Sequence, residues 1–343
     1  MSCQTWKRFF RFQSLRRAPS TREVSRAQFC SAGDGGRNTT SAEKGGTVSG
    51  QTVVSARRGA VVTVAINRPE VRNAVNRETA ARLLDELSAF DRDPQLNVAI
   101  LHGNGGNFCA GYDLKELANH TASVKLEQDV TKGPGPMGPS RLQLSKPLIA
   151  AVSGYAVAGG LELALLADLR VLEESAIMGV FCRRFGVPLI DGGTVRLPHL
   201  IGLSRAMDLI LTGRPIGAQE ALAFGLANRV VPDGQALQAA MELAEQISSF
   251  PQQCMRADRS SALHSVYAAT SLSAAMQYEA QHGAPVLRAE AVAGATSFTC
   301  GVGRDTITQL LSGQSPTEDQ ERPGQSPTED QGSLLLKTRA VSY

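Results

Sequence analysis

Apolar positions recur along the chain with two periods, and the switches between them mark out the elements. Residues 53–56 and 61–66 are short runs rich in β-branched side chains, separated by Arg57-Arg58-Gly59-Ala60, the pattern of a strand hairpin. Residues 78–90 then carry Ala80, Leu83, Leu84 and Leu87 at helical spacing, and 98–102 return to strand character. Beyond them the pattern predicts a helix at 112–119, a strand at 148–152, a helix at 160–166 and strands at 168–173 and 177–181. Strands alternating with helices predict parallel pairing through right-handed crossovers. From Thr194 onward the spacing is helical, broken by one short strand at 228–231. The expected architecture is an α/β core followed by a helical C-terminal region. The longest apolar stretch, 148–169, is interrupted by Gly154, Gly159, Gly160 and Glu162, so it reads as a buried strand and helix and not as a membrane span.

Composition changes the picture at the ends. The net charge of +3 is uneven: residues 1–50 hold nine Lys/Arg against three Asp/Glu, about +6, which leaves 26 basic and 29 acidic groups, about −3, for 51–343. Such a body gives no general electrostatic reason to bind nucleic acid. In residues 1–30, Lys7, Arg8, Arg11, Arg16, Arg17, Arg22 and Arg26 interleave with Trp6, Phe9, Phe10, Phe12 and Leu15, and Glu23 is the sole acid. That composition resembles a mitochondrial transit peptide and predicts a matrix location; the competing reading is a disordered basic tail. Residues 31–50 read as linker, and 119–145, containing KGPGPMGPS, as a mobile loop near the mouth of a site. The segment GQSPTEDQ occurs at 313–320 and again at 324–331, so 312–343 read as a low-complexity tail. Six cysteines without C-x-x-C spacing and five scattered histidines predict neither disulfides nor a metal.

Two glycine-containing turns carry the candidate chemistry. FCAGYDLKEL (108–117) and SGYAVAGGLELALLADL (153–169) each open into a predicted helix. A helix N-terminus offers free N–H groups and partial positive charge to an anionic oxygen. Two such termini converging on one carbonyl would form an oxyanion hole. Glu162, one helical turn beyond the second, is placed to move a proton. The combination points to an activated acyl group, a thioester, reacting through an enolate.

The runs INRPEVRNAVN (66–76), FCAGYDL, KPLIAAVSGYAVAGGLELALLADLRV and GGTVRLPHLIG, in this order over about residues 52–300, resemble the crotonase (enoyl-CoA hydratase/isomerase) superfamily. The resemblance implies a spiral of ββα units, with an α/β core over 51–212 and a helical C-terminal region over 213–311. It implies an acyl-CoA substrate, coenzyme A being part of that substrate and no other cofactor being needed, and assembly into a homotrimer or a hexamer. Carried over position by position, the oxyanion hole falls on the backbone N–H groups of Tyr112 and Gly159, and the first catalytic glutamate on Glu162. Arg72 falls beside the pantetheine and phosphates, and Ala110, Asp113 and Leu114 beside the adenine.

One position departs from the pattern. The register that places a second glutamate in hydratases gives Cys182, and a thiol is a poor substitute for a carboxylate in positioning water. Asp191, where some isomerases resemble it, is the candidate second acid, or else a cap for the helix opening at Gly192. Arg183 or Arg184 could bind an acidic acyl tail, pair with CoA phosphate, or be solvated. Cys182 has no histidine near it in sequence to serve as a base. Glu162 could equally be a structural acid satisfied by backbone donors. The expected activity is therefore that of an enoyl-CoA hydratase or related lyase. An isomerase, a malonyl-type decarboxylase or an acyl-CoA hydrolase of the same fold remains open, as does a catalytically weak acyl-CoA- or RNA-binding protein.

Overall fold

A computed structural model describes residues 51–119 and 127–300. The expected transit peptide and linker of residues 1–50 and the duplicated tail lie outside the described residues. The N-terminal hairpin forms as the pattern requires: β1 (Val53–Arg58) pairs antiparallel with β2 (Val61–Ile66) through a two-residue turn at Gly59 and Ala60. Every later pairing in the large sheet is parallel: β2 with β3 (Val98–Gly103), β3 with β4 (Leu148–Val152), β4 with β6 (Leu169–Glu173) and β6 with β9 (Arg229–Val231). A second, three-stranded sheet holds β5 (Tyr155–Val157), β7 (Ile177–Gly179) and β8 (Ile216–Gly217). The sequence pattern marks neither β5 nor β8.

The helices are α1 (Arg77–Arg92), α2 (Leu114–Asn119), α3 (Gly159–Leu166), α4 (Gly193–Ile201), α5 (Leu203–Thr212), α6 (Ala218–Phe224), α7 (Ala236–Ser249), α8 (Gln252–Tyr267), α9 (Leu272–Val286) and α10 (Val292–Thr299). The expected ββα repeat is visible in the order β4–β5–α3 and β6–β7–α4: the first strand of each unit joins the large sheet and the second joins the small one. After β3 a lone bridge from Cys109 to Ala156 takes the place of the second strand, and α2 follows.

Side chains alternate across a strand, so the large sheet feeds two cores. Val62, Val64, Ile66, Leu101, Leu148 and Ala150 face α1, α3 and the small sheet. Val61, Val98, Ile100, Ile149 and Val171 face α7 through Ala240, Met241 and Ala244. Burial of both faces is why β4 reads as an unbroken apolar run. It also means that the helical region after residue 212 shares a core with the sheet, to which it contributes β9 and α7.

Two local devices fix the site loops. Asn76 caps α1 by accepting from Thr79 N–H (2.9 Å), a cap worth about 1 kcal/mol. Asn73, buried and in the left-handed region at φ +56°, accepts from Arg68 N–H (2.8 Å). Its amide donates to the carbonyls of Asn104 (2.8 Å) and Asn107 (2.6 Å), so the loop after β2 is tied to the loop after β3. Among the described residues no helix is long and apolar enough to cross a membrane.

Candidate active site

Three backbone segments run side by side at the cavity floor. Ala110 N–H donates to Arg72 O (3.0 Å), Val75 N–H to Gly111 O (2.8 Å) and Asp113 N–H to Val75 O (2.9 Å). On the opposite edge Cys109 N–H donates to Tyr155 O (2.8 Å), and Cys109 O accepts from Val157 N–H (3.0 Å). Peptide bonds here are trans, so a peptide whose Gly111 C=O faces Val75 must aim its Tyr112 N–H the other way. The predicted helix at 112–119 accordingly begins two residues late, because Tyr112 is still held in the bridge to Val75.

The same reasoning orients the second turn. Ala158 C=O accepts from Glu162 N–H (3.2 Å) along α3, so the N–H of Gly159 points out of the helix N-terminus. The turn is tight enough to hold Ala158 at φ +54°, where an alanine is strained. A Cβ built on Gly111 would lie 3.0 Å from Gly159 N, so the two turns abut. Tyr112 and Gly159 line one cavity of about 670 Å³, and neither N–H has an acceptor among the described residues. An anionic oxygen lodged between them could accept from both.

Glu162 is the one polar side chain in the otherwise apolar α3 and is 2% exposed. Its Oε1 accepts from the N–H groups of Asp191 (2.9 Å) and Gly193 (2.8 Å), while Oε2 has no hydrogen-bond partner among the described residues. The structural reading of this glutamate, full satisfaction by backbone donors, thus covers half of the carboxylate. Burial lifts its pKa to about 7, with the Gly193 N–H opposing and the Asp191 charge adding to the rise. A group balanced near neutrality can both take and return a proton.

Asp191 lines the same cavity, and burial raises its pKa too. It does not cap α4: Gly192 occupies the cap position without a side-chain bond. Its Oδ1 accepts instead from Met137 N–H (3.0 Å) and from the Ser140 hydroxyl. Arg196 reinforces the junction, donating to the carbonyls of Asp191 (3.0 Å) and Ser140 (2.8 Å). These contacts correct the expectation of a mobile loop over 119–145 at its part near Met137 and Ser140 only. Its tip faces the cavity, but Met137, Pro139 and Ser140 are buried, and Asp191 holds Met137 and Ser140. Residues 120–126 lie outside the described residues.

Of the other sequence candidates, Cys182, Ala110 and Leu114 line the cavity, whereas Arg72 and Asp113 do not. Arg72 lies 5.5 Å from the centre of the Tyr155 ring, and Asp113 is ion-paired with Arg68 (3.1 Å). Arg183 and Arg184 also point elsewhere, donating to Ile210 O (3.1 Å) and Gly213 O (3.0 Å). The wall beside Cys182 is therefore apolar, built from Phe181, Phe185, Val187 and Ile190. Sequence reasoning missed Met137, Ser140 and Arg196. Arg196 follows Gly192 by one helical turn and was the most detectable of them.

Comparison with known proteins finds extensive similarity in sequence and fold. The sequence profile described as enoyl-CoA hydratase/isomerase matches residues 56–298. The chain is 43% identical over 208 residues to the enoyl-CoA hydratase EchA19 of Mycobacterium tuberculosis, an alignment covering 59% of this chain and 76% of that protein. It is 38% identical over 216 residues to the carnitinyl-CoA dehydratase of Proteus mirabilis, covering 62% and 79%. Among solved structures, enoyl-CoA hydratase EchA1 from Mycobacterium marinum superposes with a TM-score of 0.66 at 36% identity, covering 72% of this chain and 95% of that one.

Proposed function

Because the chain belongs to the enoyl-CoA hydratase/isomerase family, we propose that this crotonase-type acyl-CoA enzyme adds water reversibly across the double bond of a 2-enoyl-CoA with an apolar acyl chain. The observation that carries the reading is the meeting, in one cavity, of two N–H groups and one oxygen of a buried glutamate that have no partner among the described residues. The thioester oxygen sits between Tyr112 N–H and Gly159 N–H. The Glu162 carboxylate takes a proton from water as the oxygen of that water bonds to the β-carbon. The π electrons move to the thioester oxygen, where the two N–H groups hold the enolate. Glu162 then returns the proton to the α-carbon. One residue serves both steps, so the position of Cys182 need not supply a second carboxylate.

The apolar wall at Phe181, Phe185 and Ile190 supports an uncharged acyl tail. Ala110 and Leu114 border the part of the cavity assigned to coenzyme A, with Arg72 and Asp113 acting at most through the loops they brace. Turnover of a panel of 2-enoyl-CoA thioesters tests the assignment: activity that disappears in Glu162→Gln supports it, and no hydration with any chain length overturns it.

Asp191 favours a second reading. A second buried carboxyl on the cavity wall suits a double-bond shift on a 3-enoyl-CoA, and formation of the 2-enoyl isomer would report it. Residues 1–30 support delivery to the mitochondrial matrix. The exposed stripe Leu203, Met207 and Leu211 on α5, together with Leu263, Val266, Leu272 and Met276 on α8 and α9, supports a homotrimer or hexamer.

A further inference from the structure

Cys182 is a nucleophilic side chain of the cavity that hydration leaves unused. It is buried in the short helical turn Phe181–Phe185 and lines the cavity together with Glu162. In sequence it has no base beside it; in the fold Glu162 lines the same cavity and its charge acts on the thiol. Glu162 is 2% exposed and lines that cavity with one oxygen unpartnered among the described residues, so a nucleophile and a proton acceptor share one enclosed space.

An enoyl thioester is electrophilic at its β-carbon, and polarisation of its carbonyl by two N–H donors increases that reactivity. We propose that the Cys182 thiol adds to the β-carbon of a bound 2-enoyl-CoA, forming a reversible thioether between enzyme and substrate. In the step, Glu162 takes the thiol proton while Sγ bonds to the β-carbon. The π electrons pass to the thioester oxygen between Tyr112 and Gly159, and Glu162 delivers the proton to the α-carbon. The S–H and C=C bonds are replaced by S–C and C–H bonds, with no leaving group, oxidant or reductant. The reverse sequence releases thiol and enoyl-CoA unchanged.

The surroundings explain why capture depends on Glu162. Burial and the negative charge of Glu162 both raise the Cys182 pKa, so the sulfur rests as a thiol. Without a base at hand such a sulfur is inert. Cys254, by contrast, is exposed, its thiol lies 3.9 Å from Asp258 on α8, and it does not line the cavity that holds Tyr112 and Gly159. It serves as the internal control.

The inference rests on the proposed binding of an enoyl thioester, and the test separates the two. Binding of saturated butanoyl-CoA by calorimetry reports the cavity alone. The full-length enzyme is then mixed with but-2-enoyl-CoA, quenched in acid, and examined by intact mass and peptide mapping. The expected result is a mass increase equal to the whole enoyl-CoA, located on Cys182 and absent in Cys182→Ala. In Glu162→Gln, adduct formation slows at least about 100-fold while butanoyl-CoA still binds. Butanoyl-CoA binding and turnover with no adduct on Cys182 overturn the capture and leave the hydratase reading standing. Labelling at Cys182 no faster than at Cys254, or undiminished in Glu162→Gln, overturns it as well. Failure of butanoyl-CoA to bind overturns both.

Discussion

Asp191 gives Glu162 its main-chain N–H at 2.9 Å and turns its own carboxylate away, to Met137 and Ser140. One residue therefore fixes the orientation of the buried glutamate through its backbone and the cavity-facing loop through its side chain. The two functions are separable by substitution, because a side-chain change leaves the backbone donor in place.

Asp191→Ala is expected to release the 134–140 loop. Met137 N–H and the Ser140 hydroxyl would lose a charged acceptor in a buried setting, costing about 2–3 kcal/mol. Hydrogen exchange should show faster opening of residues 135–140, with KM raised more than kcat is lowered. A loss confined to kcat, with exchange unchanged, would instead mark Asp191 as a proton-transfer group and favour the isomerase reading.

Activity should carry the titration of Glu162. The proposed hydration and its reverse both begin from the carboxylate, so kcat/KM is expected to rise about tenfold per pH unit below pH 7 and level off above it. Glu162→Gln should lower kcat by at least about 100-fold and abolish that limb. A flat profile in the wild type between pH 5.5 and 8.5 would contradict the assignment.

Stability should run in the opposite direction. The folded pKa of about 7 lies above the ordinary carboxylate value of 4.5, so the folded state binds the proton more tightly than the unfolded chain. The Glu162 contribution is then fully favourable below about pH 4.5 and is lost as pH rises to about 7, roughly 3 kcal/mol in all. Glu162→Gln keeps the two backbone bonds to Oε1 without that charge. Its melting temperature should exceed that of the wild type by several degrees at pH 8 and by much less at pH 5. Equal melting temperatures at pH 8 would show that the carboxylate is solvated.

Much of this arrangement is legible in the sequence because it rests on local signals. The α3 turn announces itself through Gly159-Gly160 and a lone glutamate in an apolar helix, and the parallel sheet through apolar runs such as 148–152 alternating with helical spacing. The loop at 134–140 is not legible. Its glycines and prolines signal irregular backbone, but its fixation comes from a carboxylate about 50 residues later, and pairing at that separation has no local signature. Arg183 and Arg184 mislead for a related reason. Charge is visible in sequence, but the direction of a guanidinium is set by the carbonyls at the end of α5. The same distance hides the base near Cys182, which lies 20 residues earlier on a different element.

Gly111 offers a test of the meeting of the two turns. It sits at φ +99°, and a Cβ there would press on Ala158 Cβ at 2.9 Å and Gly159 N at 3.0 Å. Gly111→Ala therefore incurs left-handed strain of about 1–2 kcal/mol and a further ~1–3 kcal/mol of overpacking. Relief of the clash has to move Tyr112 and Gly159 apart, since both contacts are backbone or the first side-chain atom of a neighbour. Weakening one of two oxyanion donors lowers turnover by about 100-fold or more. Gly59→Ala separates the causes: that residue is also left-handed, at φ +57°, but a Cβ there meets nothing within 4 Å. Gly59→Ala should lower the melting temperature by a few degrees at full kcat/KM, whereas Gly111→Ala should lower both. Full activity in Gly111→Ala would show that the two N–H groups do not act on one oxygen.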